Sequence, residues 1–408
     1  MSETIQRVTA EEITDSRGKP TVLVTVATES HEGSFAVPSG ASTGSTEAIE
    51  LRDADGGMDA AIEKITGEIA DALRGMPVDD QRKIDETMIA LDGTPNKSRL
   101  GGNSMIGVSI AATRAAASAA EMPLYEYLRT KADIPASRKE PLLFVNLING
   151  GKHAEGGSPI QEHQIIPQVD TAREGLQIAE QVEQALHQNL AEAKVVFTIG
   201  DEGGVVYPVG DITEPFAAIR TAAERAGVLD AIALGADSAA SSFFNETVGE
   251  YELLGGEKLS ANALQERYSL LHREYGLHYL EDPFEEHAFT DFASLLSVEP
   301  EFIVIGDDLT TTARSRITEA AGQKAINAVI IKPNQVGTLT ETLDAMAAAR
   351  EHGVHCVVSH RSGETMDSFV ADLAYAFGCL GLKAGAPSKP ERMVKYQRLL
   401  DITYDTKN

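Results

Sequence analysis

Hydrophobic positions along this chain follow two successive rhythms. Through residues 4–37 they alternate with polar ones in three runs, IQRVTAEEI, TVLVTVAT and GSFAVP, separated by the short polar turns DSRGKP and ESHEG. That pattern predicts an antiparallel meander. Helical spacing follows over Met58 to Arg74, Asp79 to Ile89, Ser104 to Ala120 and Leu124 to Lys131. A meander with helices is an α+β unit, and the polar stretch ADIPASRKEP, residues 132–141, reads as the linker behind it. We expect one domain over residues 1–133 and a second over residues 134–408.

The second domain opens on two strand-like runs, PLLFVNLI and IQEHQIIP, with only NGGKHAEGGSP between them. No helix fits that gap, so the two strands should pair antiparallel. A long amphipathic helix from Thr171 to about Ala193 follows, and TIGDEGGVVYP then sets Asp201 and Glu202 beside two glycines. After a further helix, from about Glu214 to Ala226, one unit recurs: an apolar run, an ionisable residue at its C-terminal end, and a helix-like segment. IALGAD ends in Asp237, LHYLED in Glu281 and Asp282, FIVIGDD in Asp307 and Asp308, AINAVIIK in Lys332, and HCVVSH in His360; GLKAG carries Lys383. This is βα spacing with the chemistry at strand C-termini, the sign of a (β/α)8 barrel. The fold expected is therefore an α+β N-terminal domain and a modified, TIM-like α/β barrel with an irregular antiparallel start.

A lysine ending a buried strand is either an ion-pair partner or a base with a lowered pKa, because burying a lone ammonium is costly. The charges on the neighbouring strands bring Lys332 into a shared site. Asp237, Glu281 and Asp307 end three successive strands, and three convergent carboxylates repel unless a hard cation sits between them. All-oxygen ligation of that kind favours Mg²⁺ over zinc. Lys332 and Lys383 are cations near this centre, and Glu162 and Glu202 supply acid groups. Taken alone, His153 in its glycine-rich turn and Glu162 at the start of its strand are residues of a kind that usually faces water. The loop PSGASTGSTEA, Pro38 to Ala48, is either a lid with Ser39 as an oxygen ligand or a plain flexible loop; it carries no phosphate-binding fingerprint.

Composition narrows the classes. With 62 acidic against 35 basic residues and a net charge of −27, neither nucleic acid nor an anionic membrane is an expected partner. The acid excess is spread along the chain, which suits either solubility or a salt-screened environment. No run is long enough to cross a bilayer, and the N-terminus has no export signal, so the cytoplasm is expected. Cys356 in a strand and Cys379 in an apolar helix read as buried, reduced core residues.

DSRGKPTV, VPSGASTG, LDGTPNKS, INGGKHA, GDEGG, EDPF, GDDLT, IKPNQVGTLTET, SHRSGET and KAGAPS follow one another in an order that resembles the enolase family over nearly the whole chain. The resemblance implies a Mg²⁺-dependent dehydration of 2-phosphoglycerate to phosphoenolpyruvate. In it Lys332 removes the proton α to the carboxylate, Glu202 protonates the departing hydroxyl with Glu162 assisting, and His360 belongs to the catalytic set. It implies two Mg²⁺ ions, the first on Asp237, Glu281 and Asp307 and the second recruited with Ser39. Lys383 would contact the substrate carboxylate, Arg361 and Ser362 the phosphate, and His153 would close over the site. A homo-oligomer, dimer or octamer, is expected on the same ground.

Four departures from the family pattern lie near these residues: Gly235 and Ala236 before Asp237, Ser242 for a usual glutamate, Lys152 for a usual serine, and His163-Gln164 for a usual Phe-Met pair. Two other readings stay open from sequence. One is a superfamily dehydratase or epimerase of another carboxylic acid; the other is an idle relative acting as a binding protein.

Overall fold

The computed structural model describes residues 3–40, 44–137, 139–151 and 157–406. Its first strands, β1 (Arg7–Thr14), β2 (Pro20–Ala27) and β3 (Glu32–Ala36), form an antiparallel meander, with Arg7 opposite Ala27 and Leu23 opposite Ala36. Val22, Val24 and Val26 bury one face at period two. Four helical segments follow: α1 (Asp59–Lys64), α2 (Ala70–Leu73), α3 (Gln81–Asp92) and α4 (Gly102–Ala119). The single helix expected over Met58 to Arg74 is thus divided, by a π turn at Ile65–Ile69. Thr66 bonds back to the Ile62 carbonyl at 2.7 Å and Gly67 follows it, a pairing that weakens the regular ladder.

Helix α4 is buried nearly all round because it lies against the meander on one side and the second domain on the other. A Cβ at Gly33 would fall 2.3 Å from the Ala115 amide, so that strand needs glycine to approach the helix. The short helix α5 (Leu124–Arg129) ends this unit.

Strands β4 (Leu142–Asn149) and β5 (Glu162–Pro167) are antiparallel, as their short connection requires. After α6 (Ala172–Glu192), the two-residue strands β6 (Thr198–Ile199) and β7 (Val205–Val206) form a hairpin appended to β4. Then come α7 (Glu214–Ala226) and β8 (Ile232–Asp237). A small excursion, β9 (Phe244–Asn245), β10 (Glu250–Glu252) and β11 (Lys258–Leu259), has strands too short to be read from periodicity. The βα units continue through α8 (Ala261–Tyr275), β12 (Leu277–Glu281), α9 (Phe289–Val298), β13 (Ile303–Gly306), α10 (Arg314–Gly322) and β14 (Ala328–Ile331). The last stretch holds α11 (Pro333–Val336), α12 (Leu339–Glu351), β15 (His355–Ser359), α13 (Phe369–Ala376), β16 (Gly381–Lys383) and α14 (Pro390–Asp405).

Strand β16 pairs with β4 and closes an eight-stranded barrel in the order β4, β5, β8, β12, β13, β14, β15, β16. Only β5 runs against its neighbours. Alternate strand positions split the core in two. Phe144, Ile166, Tyr279, Ile305, Ile330 and Val357 fill the barrel, while Val145, Val329 and Ile331 pack outward. Both cysteines are buried and free, and burial raises the Cys356 thiol to about 11. Cys379 lies in the turn after α13 rather than in a helix, since that helix ends at Ala376 and Gly378 follows in the left-handed region.

Candidate active site

Strand register assembles the centre. Glu162 on β5 stands opposite Asp237 on β8, which stands beside Glu281 on β12. The insertion of Gly235 and Ala236 therefore leaves Asp237 in line. On the far side of the ring, β16 ends in Lys383, whose Nζ lies 3.0 Å from Glu162, 3.1 Å from Asp237 and 2.7 Å from Glu281. Burial would lower the Lys383 pKa, but the Asp237, Glu162 and Glu281 carboxylates outweigh it and hold it well above its ordinary value. Burial, with Glu202 next in weight, pushes the Glu162 carboxyl well up; burial and Asp237 do the same to Glu281.

Lys332 caps α11, and its ammonium donates to Asp307, the residue that follows β13. That attraction outweighs burial and raises the lysine pKa. Of the two alternatives for a strand-ending lysine, this is the ion pair. Asp307 in turn sits below its ordinary value, because Lys332 and Lys383 together overcome burial. Asp308 beside it is pushed up to about 7 by burial and by Asp307. Asp282 has φ +41 and accepts the Asp307 and Asp308 amides at 3.0 and 2.7 Å, bonds that offset its strained backbone.

The third part hangs on β4 and β15. Glu202, in the β6–β7 turn, accepts from Asn146 Nδ2 at 3.0 Å, and its other oxygen is 3.6 Å from His360 Nε2. Burial drives the His360 pKa well down, opposed by Glu202 and assisted by the Arg392 charge. Arg361 donates to Glu47 at 2.9 Å and to Asn334 at 2.9 Å, and Gln335 joins Glu47 to Asp307.

One cavity of about 30 Å³, room for a water or two, is lined by Glu162, Glu202, Asp237, Asp307, Lys332, His360, Arg361, Ser362 and Lys383. Glu281 lies buried against it through Lys383. Ser39 stands apart. Its hydroxyl donates to Asp15 at 3.0 Å and accepts from Arg17 at 2.9 Å, while its backbone bridges to Gly363. The DSRGKP turn therefore holds the Ser39 and Arg361–Gly363 loops together, and a Cβ at Gly363 would collide with Asp15 and Arg17. His153, Lys152 and residues 41–43 at the centre of the hydroxyl-rich loop lie outside the described residues.

The departures among the described residues are accommodated. Buried His163 packs on Phe216 and pairs with the Ile148 carbonyl at 3.2 Å and the Ser158 hydroxyl at 3.3 Å; Gln164 donates to Glu162 at 2.8 Å. Ser242 is exposed in a short turn. Sequence reasoning missed Glu47, Asn146, Gln335 and Arg392. Asn146 had a visible signal, a polar residue inside an apolar strand; Arg392, on an ordinary amphipathic helix, had none.

The donor set suits a divalent metal. Among the described residues, two groups bring ligand atoms close enough to share one ion, Glu162–Glu202–His360 and Asp282–Asp307–Asp308. The expected trio differs from both, since Asp237 and Glu281 converge on the Lys383 ammonium instead. Glu281 Oε1 is buried without a hydrogen-bond partner, so one carboxylate oxygen at this strand end is left unsatisfied. Oxygen donors around such an atom fit a hard cation of the Mg²⁺ type.

Two family models match the chain: "Enolase, N-terminal domain" over residues 5–128 and "Enolase, C-terminal TIM barrel domain" over residues 138–407. Among curated relatives, the enolase of Methanothrix thermoacetophila is 43% identical, across 98% of this chain and 96% of its own. The enolases of Methanopyrus kandleri and Sulfurisphaera tokodaii are each 41% identical at the same coverage.

Proposed function

The chain belongs to the enolase family and is a lyase that dehydrates 2-phosphoglycerate to phosphoenolpyruvate; from that premise we propose how its residues divide the work. The observation that carries the assignment is the cavity at the strand C-termini where two lysines, six carboxylates, His360 and Arg361 meet. Asp237, Glu281 and Asp307 would hold the first Mg²⁺ and Ser39 would serve a second; such ions would supply positive charge beside the substrate carboxylate.

Lys332 takes the C2 proton, for which its ammonium must first lose one. The Asp307 charge keeps that proton on the lysine, so the base is freed once that charge is shared with another cation and the proton passes to solvent. Glu202 delivers a proton to the C3 hydroxyl as the C3–O bond breaks, and water departs. Glu162 shares the protons of that acid side and His360 faces it. Lys383 binds the substrate carboxylate. Arg361 and Ser362 hold the phosphate, with the guanidinium fork matched to two phosphate oxygens. Residues 1–133 act as the capping unit, with His153 closing the site, and residues 134–408 as the catalytic barrel. A cytoplasmic homo-oligomer, dimer or octamer, accords with an acidic chain in which no described helix is long and apolar enough to cross a membrane.

The test is the rise in ultraviolet absorbance as 2-phosphoglycerate becomes an enol phosphate, with and without Mg²⁺, at low and high KCl. Metal-dependent turnover is expected. Folded, metal-loaded protein silent at every salt concentration would overturn the residue assignment. Light scattering on the same sample reads the oligomer.

A further inference from the structure

Arg392, near the start of α14, is fully buried and has no part in the chemistry described so far. All four of its terminal N–H groups are engaged. Nη1 donates to His360 Nδ1 and to the Arg361 carbonyl, each at 2.6 Å; Nη2 donates to the Ser362 carbonyl at 2.7 Å and the Asp201 carbonyl at 3.1 Å. Its one ion pair among the described residues, with Glu391, is long at 3.9 Å, and Nε makes no hydrogen bond. A cation held on carbonyl dipoles with a donor left over is a poor source of stability, since an apolar side chain would fill the space without desolvating a charge.

What the arrangement supplies is direction. Arginine has no acceptor and does not deprotonate, so the ring atom facing it must present a lone pair. Nδ1 of His360 is therefore the acceptor, and the proton of the neutral imidazole sits on Nε2. Nε2 is the atom turned to Glu202, 3.6 Å away. The same guanidinium ties together the carbonyls of two loops, one carrying Glu202 and the other Arg361 and Ser362. The fold makes room for it: Gly385, at φ +78, is a place where a Cβ would come within 3.1 Å of Arg392 Cδ and 2.6 Å of the Glu202 carbonyl oxygen.

We propose that Arg392 is a positioning residue for the dehydration, holding His360 as the Nε2–H tautomer with its donor side toward Glu202 and keeping the acid loop and the phosphate-holding loop in one register. The proposal rests on the roles given above to Glu202, Arg361 and Ser362. It also separates the two candidate metal groups. An Nε2 that carries the ring proton has no lone pair for an ion, so Glu162–Glu202–His360 is an acid centre and not a metal centre.

The first arm of the test reads the wild-type protein. In full-length protein labelled with ¹⁵N-histidine, with His360 assigned by difference from His360→Gln, Nδ1 should resonate as an unprotonated acceptor and Nε2 as protonated. The opposite tautomer would overturn the proposal. The second arm compares Arg392→Met with Arg392→Lys. In the methionine variant the His360 tautomers should mix and kcat should fall about 10–100-fold, more than KM rises, as a small misplacement of catalytic groups does. Lysine, which keeps a donor but not the fork, should restore the tautomer and part of the rate. Folded variants with lower melting temperatures but unchanged tautomer and kcat would make Arg392 merely structural and defeat the idea. Should the methionine variant not fold, the wild-type spectrum and the lysine variant decide. Wild-type protein that fails to turn over 2-phosphoglycerate would sink the functional reading, while the tautomer would still judge the contact.

Discussion

Two residues of strand separate two layers of this barrel that obey opposite rules. Tyr279, Gly235 and Gly381 lie in the lower layer, where Phe144 and Tyr279 meet edge to face at 5.1 Å and a Cβ at Gly381 would strike the Phe144 ring. Two positions further along the same faces stand Glu281, Asp237 and Lys383. Below, the contacts are mainly between apolar side chains. Above, three carboxylates share one ammonium and a carboxylate oxygen has no partner. The lower layer makes the barrel; the upper one is kept out of electrostatic balance by the stability the lower one provides.

Four changes would break or sharpen this contrast. Lys332→Ala should lower turnover by roughly 10³-fold or more, in the upper range for a lost general base, while the melting curve stays cooperative. The absorbance assay decides, and unchanged turnover would remove Lys332 from its role. In the lower layer Phe144→Ala should cost about 3–5 kcal/mol in denaturant unfolding, because the close-packed interior leaves a cavity.

The third change concerns His163, which is buried on the outer face of β5 against Phe216. Burial holds its folded pKa near 4, against about 6.5 for the unfolded ring. Between those values the unfolded chain binds more protons. The stability tied to the neutral ring is thus fully present above about pH 6.5 and lost as pH falls toward 4, about 3 kcal/mol in all. His163→Phe should flatten the unfolding free energy over that window; an unaltered slope would contradict the reading. The smallest expected effect is Glu281→Gln without metal, a slight loss in denaturant unfolding, since burial and Asp237 shift that carboxyl toward its neutral form and the amide oxygen can still accept from Lys383. The same variant should lose the rise in melting temperature that Mg²⁺ gives the parent protein, and a full rise would take Glu281 out of the ligand set.

Much of the upper layer was legible because ionisable residues ending apolar runs at βα spacing leave a signal that survives without coordinates. The antiparallel start was legible from the length of one loop. The π turn in the first long helix and the three short strands after β8 were not, for they depend on one hydroxyl back-bond and on turns too local for periodicity. Nor was the pairing of charges: Asp237, Glu281 and Asp307 read as a trio, yet two of them close on Lys383 and the third on Lys332.

The amino-acid sequence determined which residues stand at strand ends and on which face, because backbone geometry alternates side chains without reference to anything distant. It determined the family too, through motifs carried along the whole chain. Only the tertiary structure decided which cation answers which carboxylate, and that an arginine on the last helix reaches back to orient a histidine. Coulomb and hydrogen-bond energies depend on separations of a few ångströms between groups far apart in the chain, and those distances exist only once the barrel has closed.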